Sequence, residues 1–160
     1  STTMTTVYVL NGPNLNLLGL REPEIYGKAT LADVEQSCLE VANELGWDLA
    51  FRQTNREGEL VDWVQEVGWA QSAGDAVGAV LNAAGYTHTS VALHDAIAGS
   101  GARVIELHIS NVFSREQFRH HSYVSPGAAG IIAGFGVAGY PLALRALATL
   151  TNATDLSELS

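Results

Sequence analysis

The chain has 160 residues, of which 47% are hydrophobic and 16% are charged, and its 17 acidic residues outnumber its 8 basic ones for a formal net charge of −9. This size and composition predict one compact domain over residues 1–160, with a core of about 6–151 and frayed termini, and they exclude intrinsic disorder and a membrane-spanning segment. The acidic balance argues against nucleic-acid and anionic membrane partners, which require a surplus of Lys and Arg.

The basic residues comprise seven arginines and the single lysine Lys28. One lysine nearly excludes imine chemistry, which needs a desolvated amine in the reacting pocket. The single cysteine, Cys38, has no partner for an intrachain disulfide and falls on the apolar face of a predicted helix, so we expect a core residue. Because the N-terminus lacks the basic and apolar succession of a signal peptide, we expect a reducing, cytoplasmic environment.

Short apolar runs alternate with longer segments of helical period, and this alternation predicts an α/β fold with βα units around a parallel sheet. Five strands are predicted, at residues 7–10, 49–53, 76–82, 103–109 and 130–133. The first long helix begins with Thr30 and Asp33 as a capping pair and ends at Gly46. Further helices are predicted near residues 60–67, 90–98 and 141–150, with one short additional helix at 114–121.

Most of the predicted strands are apolar on both faces, which indicates that helices cover both sides of the sheet. In a doubly wound sheet of this kind, ligands bind outside the carboxyl ends of the strands, near the point where the strand order reverses. We therefore expect function in the loops that follow strands one, three and four, and these loops are rich in polar residues.

Strand four carries a carboxylate and a histidine on one face. Side chains alternate along a strand, so Glu106, His108 and Ser110 share a face, opposite residues 105, 107 and 109. A carboxylate in an apolar central strand is costly unless it is paired, and His108 is a suitable partner. Glu106 would fix the tautomer of His108 and favour its protonated form, giving a general acid at neutral pH. The alternative is a structural pair at the end of the sheet.

The loop after strand one carries a tyrosine with an arginine five residues before it. To act as a base near pH 7 to 8, Tyr26 would need its pKa lowered by roughly 2 to 3 from the usual value of about 10. A guanidinium such as Arg21 could supply this stabilisation, since it stays charged in surroundings where a lysine loses its proton. The alternatives are a surface arginine and a tyrosine packed by its ring. Asn14, in the same loop, is equally well explained by turn chemistry.

Polar residues also follow strands three and four. Asn82 lies at the end of strand three, and His88 precedes a helix start whose free amides could bind a carboxylate or phosphate. Arg115 and Arg119 are one helical turn apart, which directs both to the same side of the predicted short helix. The alternatives are a turn residue for His88 and a solvated face for the two arginines.

Two further patterns are weaker. Residues 134–139 spell G-x-G-x-x-G after a strand, as in a dinucleotide fingerprint, but no further strand completes a βαβ unit and the candidate ribose-binding acid, Asp155, lies in the polar tail. We interpret these glycines as a tight turn with close helix packing. The five histidines show no standard ligand spacing, so neither a cofactor nor a metal site is predicted.

Several long motifs occur in one order along the chain: V-L-N-G-P-N-L-N-L-L-G, R-E-P-E-I-Y-G, N-R-E-G-E-L-V-D-W, Y-T-H-T-S-V-A-L-H-D-A, and E-L-H-I-S-N followed by F-R-H-H-S-Y. From about residue 7 to residue 150 the chain resembles the type II 3-dehydroquinate dehydratases of the shikimate pathway. The resemblance implies a flavodoxin-like, doubly wound fold of three layers (α/β/α), with a five-stranded parallel sheet of order 2-1-3-4-5. It also implies a homododecamer assembled as a tetramer of trimers, and no cofactor.

The activity that the resemblance implies is a lyase reaction, in which 3-dehydroquinate is dehydrated to 3-dehydroshikimate by anti elimination through an enolate. Tyr26 resembles the base that removes a proton next to the substrate ketone, and Arg21 the arginine that lowers the pKa of that tyrosine. Asn14 is similar to the asparagine that holds a water beside the developing enolate. His108, oriented by Glu106, resembles the acid that protonates the departing hydroxyl.

The resemblance also implies a set of substrate-binding residues. Ile109 and Ser110 would bind the substrate carboxylate, while ring substituents would be bound by Asn82, His88 and Arg119. Asp95 matches an aspartate associated with the site across the trimer interface, and Arg115 lies on the mobile side of the pocket.

Three residues depart from the family pattern. Thr54 and Arg56 replace a serine and a histidine, and His94 stands where an arginine or leucine is more familiar. These departures leave the acid and the base untouched and concern interface and loop details. A noncatalytic flavodoxin-like binding module is the alternative function, although a phosphoacceptor receiver would need acidic residues after strand one, where this chain has asparagines.

Overall fold

The computed structural model describes residues 4–20 and 23–152, apart from the side chains of Ile25 and Tyr26. Strands and helices follow in the order β1 (Thr6–Asn11), α1 (Pro23–Tyr26), α2 (Leu31–Leu45), β2 (Asp48–Gln53), α3 (Glu57–Ser72), β3 (Ala76–Asn82), α4 (Val91–Ser100), β4 (Val104–His108), β5 (Gly130–Ala133) and α5 (Gly139–Asn152). No helix in this part of the chain is long and apolar enough to cross a membrane.

The five strands form one parallel sheet of order β2-β1-β3-β4-β5, which confirms the predicted topology. Each predicted strand differs from the observed one by at most one residue at an end. The strand order reverses at β1, where Asn11 pairs with Gln53 of β2 and with Asn82 of β3. The carboxyl ends of β1 and β3 therefore flank the position at which such folds bind their ligands.

Helices cover both faces of the sheet, as the doubly apolar strands predicted. On one face α2 and α5 enclose a core that includes Val9, Leu107 and Leu144. On the other face α3 and α4 enclose a second core that includes Leu10 and Leu93. Because side chains alternate along each strand, neighbouring residues of one strand enter different cores.

The predicted ends of α2 are confirmed. Thr30 Oγ1 accepts from the Asp33 amide at 3.2 Å, and the Thr30 amide donates to Asp33 Oδ2 at 2.9 Å, which completes a capping box. Gly46 ends the helix in the left-handed region at φ 78°, a conformation that favours glycine.

The predicted short helix at residues 114–121 is wrong. Val112–Ser114 and Gln117–His120 form two separate 3-10 turns, with extended backbone between them at Arg115. Asn111 begins the first turn as its N-cap: its side chain accepts from the Phe113 amide, and its carbonyl accepts from the Ser114 hydroxyl. The extended backbone at Arg115 ends this turn, so the two arginines do not share a helix.

The glycine run at 134–139 forms the tight turn that the sequence predicted. Gly134 and Gly136 have positive φ angles of 94° and 63°. A Cβ atom on Gly139 would lie 2.8 Å from Leu107 Cδ1, so the start of α5 packs directly against β4. These glycines therefore serve the packing of a helix on the sheet.

Candidate active site

A pocket with a cavity of about 140 Å³ opens at the carboxyl edge of the sheet, beside the ends of β1, β3 and β4. Eight residues that the sequence singled out line it: Asn14, Asn82, His88, His108, Ile109, Ser110, Arg115 and Arg119. The loops after strands one, three and four thus meet at one site, as the topology predicted.

Glu106 and His108 form a buried pair on β4. His108 Nε2 lies 2.5 Å from Glu106 Oε2, and both side chains lie on the strand face opposite Leu107. Burial raises the pKa of Glu106, but hydrogen bonds from His108 and Ser125 outweigh burial, so that the pKa lies below its usual value. The ionised carboxylate accepts the Nε2 proton, which leaves Nδ1 as the ring nitrogen available to the pocket.

Two serines from the segment before β5 complete the surroundings of Glu106. Ser122 Oγ donates to Glu106 Oε2 at 2.8 Å, and Ser125 Oγ donates to Oε1. The carboxylate is only 2% exposed, and each of its oxygens accepts at least one hydrogen bond. These bonds offset part of the cost of burying a charge in the sheet.

His88 lies beside the ring of His108, with ring centroids 6.2 Å apart and an angle of 19° between the planes. His88 Nδ1 lies 2.8 Å from the backbone oxygen of His121. Since a carbonyl oxygen only accepts, Nδ1 carries a proton and Nε2 is left for the pocket. Burial lowers the pKa of His88, and the nearby His108 and Arg119 charges lower it further against the opposing effect of the His121 carbonyl.

Two guanidinium groups make the pocket cationic. Arg115 Nη1 lies 3.4 Å from Ser110 Oγ, and Arg119 Nε lies 2.5 Å from Glu116 Oε2. Among the described residues, none accepts a hydrogen bond from the Nη groups of Arg119. Both arginines line the pocket although they belong to no common helix. An anionic ligand would therefore find charge-assisted donors on this side.

Asn82 is anchored through Tyr140 of α5. Asn82 Nδ2 donates to the Tyr140 hydroxyl at 2.9 Å, and that hydroxyl donates to Asn11 Oδ1 at 2.7 Å. Asn82 Oδ1 accepts from the Ala84 amide at 3.2 Å. Burial raises the pKa of Tyr140, which keeps the hydroxyl protonated. The directions of these bonds orient the Asn82 amide, and its second N–H is left as a donor.

The loop after β1 is held closely against its neighbours. Asn14 adopts the left-handed conformation at φ 70°, which asparagine tolerates, and its amide donates to Asn55 Oδ1 at 3.0 Å. A Cβ atom on Gly12 would lie 2.5 Å from the Ala83 carbonyl oxygen, so only glycine allows this approach between the loops after β1 and β3. This contact places Asn14 on the pocket wall.

Of the other four predicted site residues, Glu106 and Asp95 are described and do not line the pocket, and two lie outside the described residues in whole or in part. Asp95 lies on α4 with its side chain 71% exposed and its carboxylate 3.0 Å from His94 Nδ1. Arg21 lies outside the described residues, and so does the side chain of Tyr26, whose backbone ends α1. The roles of Arg21, Tyr26 and Asp95 stay predictions.

The residues that depart from the family pattern lie away from the pocket wall. Thr54 is buried after β2, and its Oγ1 accepts from the Arg56 amide at 3.0 Å. The Arg56 side chain is exposed and lies 3.4 Å from the Glu59 carboxylate. Neither these residues nor His94 line the cavity.

The chemistry of the site rests on ordinary side chains. Within residues 4–20 and 23–152, no group of three or more His, Cys, Asp or Glu side chains could hold a metal ion. Cys38 is buried in the core as expected, and burial raises the pKa of its thiol to about 12, which makes it unreactive. An acid pair, a second histidine, two arginines and an oriented amide suit proton transfer to a small, polar anion.

The sequence did not predict three residues that contact the site: Ser122, Ser125 and Tyr140. Ser122 is 16 residues from the Glu106 that it contacts, and Tyr140 is 58 residues from Asn82, so no local pattern connects them. One signal was usable for Tyr140: a phenol at the start of an apolar helix needs a partner for its hydroxyl once it is buried.

Comparisons with known proteins point to one family. The model of the family described as dehydroquinase class II matches residues 5–148. A protein of Acidovorax sp. strain JS42 named 3-dehydroquinate dehydratase is 62% identical over 143 residues, which cover 89% of this chain and 97% of that protein. A protein of Ralstonia nicotianae named 3-dehydroquinate dehydratase 2 is 60% identical over 144 residues, which cover 90% of this chain and 94% of that protein.

A solved structure has the same fold. The crystal structure of the type II dehydroquinase from Butyrivibrio crossotus matches with a TM-score of 0.85 and 37% sequence identity. The match covers 92% of this chain and 99% of the other. The likeness therefore extends over most of this chain and nearly all of the other.

Proposed function

Since this chain belongs to the dehydroquinase class II family and is therefore an enzyme that dehydrates 3-dehydroquinate, a step of the shikimate pathway, we propose that it does so by anti elimination through an enolate. Tyr26 acts as the base and His108 as the acid. The observation that carries this proposal is the buried pair of Glu106 and His108, which adjoins a pocket lined by two arginines.

The hydrogen bonds of His108 support its role in the acid step. Glu106 accepts from Nε2, so a protonated His108 presents Nδ1–H towards the pocket. As the bond between the substrate ring and its hydroxyl breaks, this proton passes to the departing oxygen and water leaves. The buried carboxylate stabilises the imidazolium before transfer, because an opposite charge nearby favours the charged form.

The base step is assigned to Tyr26, in the segment that begins after β1. Its phenolate takes the proton from the carbon next to the substrate ketone, and the electron pair moves onto the ketone oxygen to form the enolate. Arg21, five residues earlier, stabilises the phenolate by its charge. Asn14 lies on the pocket wall and holds a water that donates to the enolate oxygen.

Substrate binding uses the remaining wall of the pocket. The carboxylate of 3-dehydroquinate is bound by the Ile109 and Ser110 backbone and the Ser110 hydroxyl, beside the Arg115 guanidinium. Asn82, His88 and Arg119 bind the ring hydroxyls. Asn82 is oriented as a donor and His88 has Nε2 unoccupied by its bond to His121, which supports these roles.

Assembly is proposed to complete the site. We infer a homododecamer, a tetramer of trimers, in which Asp95 of one protomer approaches the pocket of its neighbour. The Asp95 side chain is exposed on α4 and lies near the exposed Trp69 of α3, which supports a contact surface at this face. Sedimentation of the purified protein should give a particle about twelve times the 16.9 kDa chain mass, and a monomer would contradict the inference.

A cytoplasmic location is proposed from the cysteine chemistry. The chain has one cysteine, and Cys38 is buried without a disulfide. Free, buried thiols are typical of reducing compartments, where disulfides are rare. Fractionation of the source cells should recover the protein with cytoplasmic markers, and recovery outside the cytoplasm would contradict this assignment.

The reaction itself gives a simple assay. The product 3-dehydroshikimate is a conjugated enone, so ultraviolet absorbance rises as 3-dehydroquinate is consumed. Tyr26→Phe should lose most turnover, at least about 100-fold, because a positioned base contributes about 10²–10⁴-fold. It should still bind the substrate.

Tyr123→Phe is the matched control: among the described residues the Tyr123 hydroxyl has no hydrogen-bond partner, and the residue does not line the pocket. No absorbance rise with folded wild-type protein would overturn the proposed function, and full activity in Tyr26→Phe would move the base elsewhere.

A borohydride experiment separates this reaction from imine chemistry. Lys28 is the only lysine, and it does not line the pocket. Sodium borohydride added with 3-dehydroquinate should therefore leave the activity intact, because no imine forms for it to reduce. Inactivation that depends on the substrate would instead identify Lys28 as an imine former.

A further inference from the structure

The bonds of the Ser122 hydroxyl determine the direction in which it contacts Glu106. Ser122 Oγ lies 3.1 Å from the Val124 amide and 3.0 Å from the Ser125 amide, and it accepts from both. A hydroxyl has two lone pairs and one hydrogen. With both lone pairs engaged, its hydrogen can only be donated, and it is donated to Glu106 Oε2. Oε2 must therefore be an acceptor.

Ser125 engages the other oxygen of the same carboxylate. Its Oγ donates to Glu106 Oε1, so the two serines and His108 place three donors on one carboxylate. The segment that carries the serines is fixed to the sheet. A Cβ atom on Gly127 would lie 2.9 Å from Ile97 Cγ2 of α4, and the Ala129 amide donates to the Val104 carbonyl of β4 at 2.7 Å.

We propose that Ser122 and Ser125 are positioning residues of the acid pair, which hold Glu106 as the acceptor that orients His108 for proton donation. This inference rests on the proposed function, in which His108 protonates the departing hydroxyl. Neither serine lines the pocket, so both act through Glu106 and leave substrate binding to other residues. A carboxylate held by donors on both oxygens cannot rotate away from Nε2 without breaking several bonds.

The other residues around Glu106 and His108 are apolar or basic. β3 and β5 place Leu81 and Ile131 beside Glu106, and α4 faces the same core with Leu93 and Ile97. Among the described residues, three ionisable groups line the pocket beside His108, and each is cationic when protonated: His88, Arg115 and Arg119. Glu106 is the only carboxylate that hydrogen-bonds to His108 among the described residues.

The decisive variant is Ser125→Ala, because the Ser125 hydroxyl has no bond other than the one to Glu106 among the described residues. We expect kcat to fall about 3- to 10-fold with KM unchanged within about twofold, since a lost hydrogen bond to a charge acts here on the acid alone. The alkaline limb of the pH profile of kcat should move to lower pH, because a carboxylate that can rotate away from Nε2 stabilises the protonated His108 less. Ser122→Ala should act in the same direction.

A matched control and a double variant distinguish positioning from a structural role. Ser100→Ala removes a hydroxyl that accepts from the Ala102 amide at the end of α4, and it should leave the pH profile unchanged. In a Glu106→Gln background, Ser125→Ala should lower kcat no further, because the carboxylate through which it acts is gone.

The possible outcomes test the positioning role separately from the proposed function. An unshifted alkaline limb in folded, assembled Ser125→Ala, or a full additional loss in the Glu106→Gln background, would overturn the positioning role. Absence of enone formation by the wild-type protein would overturn the proposed function instead.

Discussion

The Tyr140 hydroxyl allows a direct measurement of what the buried polar network contributes to stability. Tyr140→Phe keeps the ring but removes the hydroxyl between Asn82 Nδ2 and Asn11 Oδ1, both of which are buried. A buried polar group left without its partner costs about 1–3 kcal/mol. The Asn82 side chain keeps its bond from the Ala84 amide, and the Asn11 side chain keeps its bond to the Arg52 carbonyl. We therefore expect the free energy of unfolding to fall by about 2–4 kcal/mol for the two groups together.

Urea unfolding followed by circular dichroism measures this change, at one fixed protein concentration because assembly also contributes to stability. Tyr123→Phe, the same chemical change at a hydroxyl without a described partner, should shift the free energy by less than about 0.5 kcal/mol. Tyr140→Phe should also raise KM, since Asn82 loses the bond that orients it. A loss of stability no larger than that of the control would show that the hydrogen bonds of the Tyr140 hydroxyl do not stabilise the fold.

Three further outcomes are expected. Gly12→Ala should lower the free energy of unfolding by about 2–3 kcal/mol, because its Cβ would lie 2.5 Å from the Ala83 carbonyl oxygen. Gly58→Ala is the control, since a Cβ atom at Gly58 would have no atom within 4 Å, and it should cause no such loss. Equal effects of the two variants in thermal melts would contradict this prediction. Burial lowers the pKa of His88 in the folded protein below its unfolded value of about 6.5. The neutral histidine therefore supports the fold above pH 6.5, and this stability is lost as the pH falls below that value of about 6.5. His88→Gln should flatten the dependence of the free energy of unfolding on pH in that range. Cys38 should react with a thiol-specific dye only after unfolding, and rapid labelling of the native protein would show that it is not a core residue.

The regular elements were predictable because their signals are local. Apolar strands separated by segments of helical period predict a parallel sheet, and the capping pair Thr30 and Asp33 with Gly46 marks the ends of α2. The alternation of side chains along β4 predicts that Glu106 and His108 share one face, and the two side chains are in contact there. The spacing of Arg115 and Arg119 suits a helix over 114–121, but extended backbone at Arg115 divides this segment into two short turns, which residue spacing alone does not reveal.

Periodicity and strand topology relate residues that are close in the chain or in adjacent strands. They were therefore enough to predict the layers, the edge of the sheet that carries the pocket, the Glu106–His108 pair and the cationic character of the pocket. The distant groups that complete this pair and anchor Asn82 became visible only in the folded chain. Ser122 and Ser125 reach Glu106 from the segment before β5, and Tyr140 bridges strands from α5. A buried charge or amide takes whichever donor the packing brings within about 3 Å, and no spacing along the chain encodes that choice.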